Sequence, residues 1–407
     1  MLTDPKTRYR PYTDASGGWG SAKSVAGILL REQAVVKIGA ALLKQNKPDG
    51  FACVSCAWAK PGDTHPLEFC ENGAKATAWE LTAKRSSPAF FAEHSVSELR
   101  GWSAHALEQH GRLTHPLRYN PGTDRYEETS WETAYQAIGA SLRALPPDEV
   151  VFYASGRASL EASFMYQLFA RAYGSNNLPD SSNMCHESTS VGLQESIGVP
   201  VGTVTLNDFE HTDCLLFFGQ NVGSNSPRML HQLQEARQRD VPIITFNPLK
   251  ERGLQAFVNP QSPGEMLGPN STQISTQYHQ VAIGGDTAAI VGVSKALLDL
   301  HDAALQRGEP GVLDEAFIAE HTHGADDFIA YVRRQQWAEL EAITGLKRAA
   351  MEATALVYAQ SQRVMIVYGM GLTQHRQGVQ NVQMLVNLLL LRGNIGKPGA
   401  GICPVRG

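Results

Sequence analysis

Cys185 and His186 stand side by side in SSNMCHES, residues 181–188. A soft thiolate next to a proton acceptor suits a redox metal centre. By residue type alone three readings stay open: a metal ligand with its base, a Cys-His nucleophile acting on acyl groups, or a buried small hydrophobe beside a satisfied loop histidine. No oxyanion-hole signature accompanies the second. A further set is Cys53, Cys56 and Cys70, spaced C-x2-C-x13-C and followed by Glu71-Asn72-Gly73. C-x2-C puts two thiolates on one tight turn, as tetrahedral metal and iron–sulfur clusters require. A cubane held by protein thiolates normally takes four, so a structural zinc site and simple unpaired thiols stay open beside a cluster. Cys214 lies in an apolar run and reads as core; Cys403 has no partner in any motif.

The third chemical signal is FFGQNVGSNSPR, residues 217–228. It reads as a strand end, a small-residue turn and a helix start at Ser226-Pro227-Arg228. Ser226 is placed to cap and Pro227 suits the first turn, so the amides there are expected to form an anion site. A plain tight turn is the alternative. The pattern is not G-x-G-x-x-G, which leaves ordinary nicotinamide binding without support. Near the end, Arg406 in CPVRG offers a planar, permanently charged fork for a carboxylate; the bland reading is a frayed tail.

The elements that must position these residues alternate strand and helix. Glu149–Ala154, Cys214–Phe218, Val241–Phe246 and Val364–Tyr368 read as short apolar strands. Helices are expected over Ala158–Tyr173, Pro227–Arg239, Asp286–Leu300 and Gly378–Leu391, with an earlier one over Ala22–Lys44. Arg118–Glu128 reads as a hairpin around Pro121-Gly122, and Ser130 caps the helix after it. Asn259–Gln277 reads as an exposed loop. The expected fold is α/β, with parallel sheets covered by helices on both faces and a small cysteine-bearing segment before them. A net charge of −5 argues against nucleic acid as partner. The polar start MLTDPKTRYRPYTD and the absence of a long apolar run predict a cytoplasmic protein with no membrane span. In a reducing compartment six cysteines are ligands or core, not a disulfide framework.

Taken in order, GSNNLPDSSNMCHES (174–188), FFGQNVGSNSPR and YGMGLTQHRQGVQ…LLRGNIGKPGAGICPVRG (368–407) resemble the molybdopterin oxidoreductases, in their formate dehydrogenase-like branch. The resemblance runs from about Gly50 to Gly407. It implies a bis-molybdopterin guanine dinucleotide carrying molybdenum or tungsten, with Cys185 as metal ligand, His186 as proton acceptor and Arg406 orienting a formate-like substrate. It assigns dinucleotide contacts to Gly219, Asn221, Ser226, Asn247 and Pro248, with Lys250 compensating for Leu249 where a basic residue is usual. Gly285 and Asp286 within Ile283–Thr287, and Gly369, Gly371 and Gln374, resemble the other contacting turns. A [4Fe-4S] cluster would sit on Cys53, Cys56 and Cys70. Lys60 occupies the family's third cysteine position, where Asp63 or His65 would have to substitute, and Asn72 replaces a frequent lysine. These departures resemble a divergent branch associated with acid resistance.

The expected division is 1–76 for the helix and cysteine segment, 77–177 for a partial α/β domain, and 178–407 for a dinucleotide-binding α/β domain. Family members continue past Val-Arg-Gly, so a C-terminally truncated chain is expected. The leading expectation is two-electron oxidation of formate or a similar small substrate, with electrons leaving through the cluster to an unidentified acceptor protein. The rival is a truncated, non-catalytic metal- and nucleotide-binding module.

Overall fold

The computed structural model describes residues 12–53, 55, 56, 58, 69–156 and 158–405. Its contacts divide the described chain into two compact units. One comprises 12–22, Trp58 and 185–405; the other comprises 23–53, 55, 56, 69–156 and 158–184.

The larger unit is built on five parallel strands: β1 (Cys214–Phe218), β2 (Ile243–Phe246), β3 (Gln277–His279), β4 (Val364–Tyr368) and β5 (Gly401–Pro404). They lie in the order β3-β2-β1-β4-β5, with Phe218 beside both Phe246 and Tyr368 and with Tyr368 beside Pro404. Alternation along the strands sends side chains to opposite faces. Cys214, Leu216, Phe218, Ile366 and Tyr368 face a core with Ile290, Val293, Leu297, Met351, Tyr358, Leu385 and Leu389. These come from three helices: α4 (Asp286–Gln306), α5 (Arg348–Gln360) and α7 (Gly378–Leu390). Leu215, Phe217, Ile243, Met365 and Val367 face the opposite core, beside Leu230 and Leu233 of α3 (Met229–Gln238). The three-layer α/β architecture with a parallel sheet is therefore as the alternating pattern requires. Strand order reverses between β1 and β4, so the connections leaving those two strands diverge and open a crevice at the sheet's carboxyl edge.

Some expected boundaries change. Val241–Phe246 shortens to β2, because Pro242 has no N–H to give a ladder. The expected loop Asn259–Gln277 contains a helical turn, Pro263–Leu267, and ends where β3 begins. The helix expected over Ala22–Lys44 is two, Gly18–Arg31 and Val35–Leu42, parted by Gln33 at φ +56°.

In the smaller unit the hairpin Leu117–Asn120/Arg125–Glu128 forms as expected. Ser130 Oγ accepts from the Thr133 N–H at 3.1 Å, capping Trp131–Arg143. The expected strand Glu149–Ala154 does not form a ladder. It pairs through the Phe152 N–H to Asn177 O bond and a bridge from Ala154 to Asp180, and Val151 and Tyr153 are exposed.

Candidate functional site

Asp180 Oδ1 accepts from the Asn183 N–H at 2.8 Å. The helix it starts, α1 (Ser181–Ile197), carries Cys185 and His186, so the pair lies in a helix and not in the expected loop. The helix is kinked at His186, whose φ of −135° and ψ of 26° leave the helical region. Successive helical residues do not share a face: Cys185 is partly exposed while His186 is fully buried.

Four hydrogen bonds link the pair and its helix to the end of β4 and the turn after it. His186 Nδ1 and Thr189 Oγ1 are 2.9 Å apart, and Thr189 Oγ1 lies 2.9 Å from the Tyr368 hydroxyl. Thr373 Oγ1 donates to the Cys185 carbonyl at 2.7 Å. Ser188 Oγ returns a bond to the Thr373 carbonyl at 3.1 Å. Thr373 ends α6 (Met370–Thr373), within the turn that follows β4.

That turn and the one after β1 meet backbone to backbone. Gly219, at φ +56°, accepts a bond from the Gly371 N–H at 3.0 Å. A Cβ on Gly219 would lie 2.7 Å from the Gly371 carbonyl carbon, and one on Gly371 would lie 2.6 Å from the Gly219 oxygen. Only glycine permits this approach. Gly369 serves its neighbour Gln220, whose Oε1 would be 2.0 Å from a Cβ there. Gln220 is itself buried, and its Nε2 has no hydrogen-bond partner among the described residues. A buried donor left so costs about 1–3 kcal/mol, which makes it a mark of a binding surface.

Asn247, expected to touch the dinucleotide, clamps the Gln220 backbone. Its Oδ1 accepts from the Gln220 N–H at 3.1 Å and its Nδ2 donates to the Gln220 carbonyl at 2.9 Å. Its neighbour Pro248 presents a carbonyl to Gln280 Nε2 at 3.2 Å. Lys250 and Leu249 are exposed. Ser226 does not cap a helix: it is buried, and its N–H donates to the Val222 carbonyl. Asn221 does the capping, accepting from the Ser224 N–H at the start of the short α2 (Val222–Asn225) and donating to Glu251 Oε2 at 2.8 Å. The helix cap expected of Ser226 is thus made by Asn221 for α2, and α3 is entered through Arg228 without a side-chain cap.

Gly285 precedes α4 and Asp286 opens it. Burial pushes the Asp286 carboxyl up to about 6, with the charge of nearby His375 opposing the rise. Thr287 Oγ1 donates to Asn381 Oδ1, and Asn381 Nδ2 donates to the Leu372 carbonyl at 2.9 Å. The Gly285-Asp286 turn and the Gly369–Gln374 turn are therefore joined. Gln374 follows α6, its N–H donating to the Met370 carbonyl. Val405 donates to the Tyr368 carbonyl at 2.8 Å, continuing β5 along the same edge. Arg406 lies outside the described residues.

In the smaller unit, Cys53 and Cys70 both reach Gly73. Cys70 Sγ caps the helix Glu71–Glu80, accepting from the Gly73 N–H at 3.3 Å, and a Cβ on Gly73 would lie 3.3 Å from Cys53 Sγ. Cys53 Sγ accepts from the Ser55 N–H at 3.4 Å. Amide N–H groups aimed at sulfur stabilise thiolates and tune a cluster. Gln45 holds the group together, bonding Gly73 O and Thr77. Cys56 is half-buried. Among the described residues, though, no three His, Cys, Asp or Glu side chains gather as a metal site. Lys60, Asp63 and His65 lie outside them. Cys214 and Cys403 are core thiols, each pushed up to about 12 by burial.

The class this fold defines is an α/β protein whose parallel sheet reverses strand order between β1 and β4, the place where ligands bind in open sheets of this kind. Residues 112–405 match the molybdopterin oxidoreductase family, and the chain belongs to it. It is 49% identical to Protein YdeP of Escherichia coli (strain K12) over 99% of its own length and 53% of that protein's. With Formate dehydrogenase H of the same organism it shares 27% over 73% of its length and 38% of the relative's. The chain thus spans about half, or less, of the curated relatives it matches. Among solved structures, acetylene hydratase from Pelobacter acetylenicus superposes with a TM-score of 0.54 at 17% identity, covering 71% of this chain and 36% of that one. That likeness concerns the fold.

The residues fit a molybdopterin-type cofactor: two glycine turns packed backbone to backbone, a buried unmet donor on Gln220 and the buried Asp286 carboxyl lie at one sheet edge. Gln220, Thr189, Tyr368, Thr373 and Asn381 were not singled out from sequence. Only Gln220 carried a local signal, as the one long polar side chain in a small-residue turn.

Proposed function

We propose that this chain is part of an oxidoreductase that removes two electrons from formate or a similar small substrate at molybdenum or tungsten held by a bis-molybdopterin guanine dinucleotide. The observation that carries the reading is the bond from Thr373 Oγ1 to the Cys185 carbonyl. It fixes the candidate metal ligand to the same turn that supplies Gly369 and Gly371. Bound there, the metal and its dithiolene sulfurs would supply the two-electron acceptor.

The chain's own residues supply position and proton handling. Cys185 would ligate the metal from the partly exposed side of the helix. His186 would accept the proton at Nε2, which requires Nδ1 to carry hydrogen and donate it to Thr189 Oγ1, with Thr189 donating on to Tyr368. Arg406 would orient the substrate carboxylate, and Gly219, Asn221, Asn247, Pro248 and Ser226 would shape the first dinucleotide turn. Gly285, Asp286 and Gln374 would shape the others. Cys53, Cys56 and Cys70 would hold a [4Fe-4S] cluster as electron exit toward an unidentified acceptor protein. Among the described residues no helix is long and apolar enough to cross a membrane; a cytoplasmic location is part of this proposal.

The test is dye-linked reduction by formate with the purified protein. Formate-dependent reduction abolished in Cys185→Ala supports the reading. Bound molybdenum or tungsten without turnover of formate keeps the cofactor and overturns the substrate.

A further inference from the structure

Gln220 has its backbone fixed and its side chain unspent. Asn247 holds both the N–H and the carbonyl of Gln220, so the residue cannot drift. Gly369 lacks the Cβ that would strike the carboxamide, and the side chain packs into that space. It is only 4% exposed, yet its Nε2 finds no acceptor among the described residues. On either side lie Gly219 and the Gly369–Gly371 turn, at the divergence of β1 and β4. A fold that clears room for a carboxamide, pins its backbone and leaves its donor unmet is arranged for an acceptor from outside the chain.

We propose that Gln220 is a cofactor-contacting residue whose Nε2 donates a hydrogen bond to an acceptor atom of the bound pterin dinucleotide. This rests on the cofactor reading above and adds a determinant of retention to it. Asn247 and Gly369 act through Gln220: the first sets where it starts, the second where its side chain can lie. The interaction is with an uncharged donor, so the residue selects for an acceptor without adding charge at the crevice.

The experiment compares wild type with Gln220→Leu, which keeps bulk without a donor, and Gln220→Glu, which keeps shape but reverses hydrogen-bond sense. Each protein is purified with its cofactor. Pterin is released, oxidised and counted by fluorescence per chain, and loss of pterin on dilution is timed. Melting curves of the cofactor-free forms check that each variant folds. The proposal predicts about tenfold or faster release from both variants, with each cofactor-free form still melting cooperatively. Gly369→Ala should do the same, and combining it with Gln220→Leu should add nothing further. Wild-type retention in Gln220→Leu and Gln220→Glu overturns this proposal and leaves the cofactor reading standing. Wild-type protein purified without any pterin overturns both. Should Gln220→Leu fail to fold, the isosteric Gln220→Glu and Gly369→Ala decide, and additive losses between Gly369→Ala and Gln220→Glu count against the proposal.

Discussion

In the role proposed for it, His186 would take a proton on one of two ring nitrogens, and its neighbours choose which. With Nδ1 facing Thr189 Oγ1, the direction of the Thr189–Tyr368 bond sets the tautomer. Thr189→Val removes the acceptor for Nδ1–H, so the acid limb of the kcat/KM profile should shift and its plateau fall at least about tenfold. Metal content per chain should stay as in wild type. An unchanged pH profile would mean that His186 only packs. Asp286 makes a different prediction. Its carboxyl stands at about 6 in the folded chain against an ordinary 3.8, so folding favours the protonated form. Its stability cost is absent below about pH 4, grows as pH rises through 6 and is complete above that, on the order of 3 kcal/mol before the helix start offsets part of it. Asp286→Asn in the cofactor-free protein should therefore be more stable than wild type at pH 7, by an amount that shrinks as pH falls through 6. Urea titrations across that range measure it; a pH-independent difference would contradict the assignment of burial as the cause.

The elements meet at their glycines. Gly219 and Gly371 bring two loop backbones closer than any side chain allows. Gly219→Ala should cost about 1–3 kcal/mol from both φ strain and the clash, seen as a lower urea midpoint. At the other thiol pair, Gly73→Ala would favour the helix Glu71–Glu80 by propensity, about 1 kcal/mol, while crowding Gln45 Oε1 and Cys53 Sγ. Iron per chain should fall without loss of helical signal; unchanged iron would separate Gly73 from any cluster. How much of this was legible differs by element. β1 and β4 are unbroken apolar runs, CLLFF and VMIVY, and read as buried parallel strands directly. β3 is QYH and β5 is GICP: one is polar and the other carries glycine and proline, because edge strands ladder on one side only. The helix with Cys185 is polar and small-residue-rich, so it reads as loop; its Asp180 cap and the contacts to Thr373 and Tyr368 supply what propensity does not. The cysteine positions were readable from spacing, but Gln45 and Gln220 act through partners distant in sequence, which no local pattern encodes.

At the scale of the whole molecule, the larger unit brings the Gly219–Gly371 backbone contact, the Asp286 turn and the bond from Thr373 to the Cys185 carbonyl to one sheet edge. The fold alone is common to proteins of unrelated chemistry, so the function rests on what that edge binds. The chain spans 53% of YdeP's length. The most direct measurement is therefore of the cofactor: molybdenum, tungsten and oxidised pterin per chain in the purified protein, with Gly371→Val as comparison. Metal and pterin together in wild type, both lost in the variant whose side chain drives the Gly219 and Gly371 turns apart while the protein still melts cooperatively, is the predicted result. Wild-type protein carrying neither, or a variant that keeps both, would contradict the account.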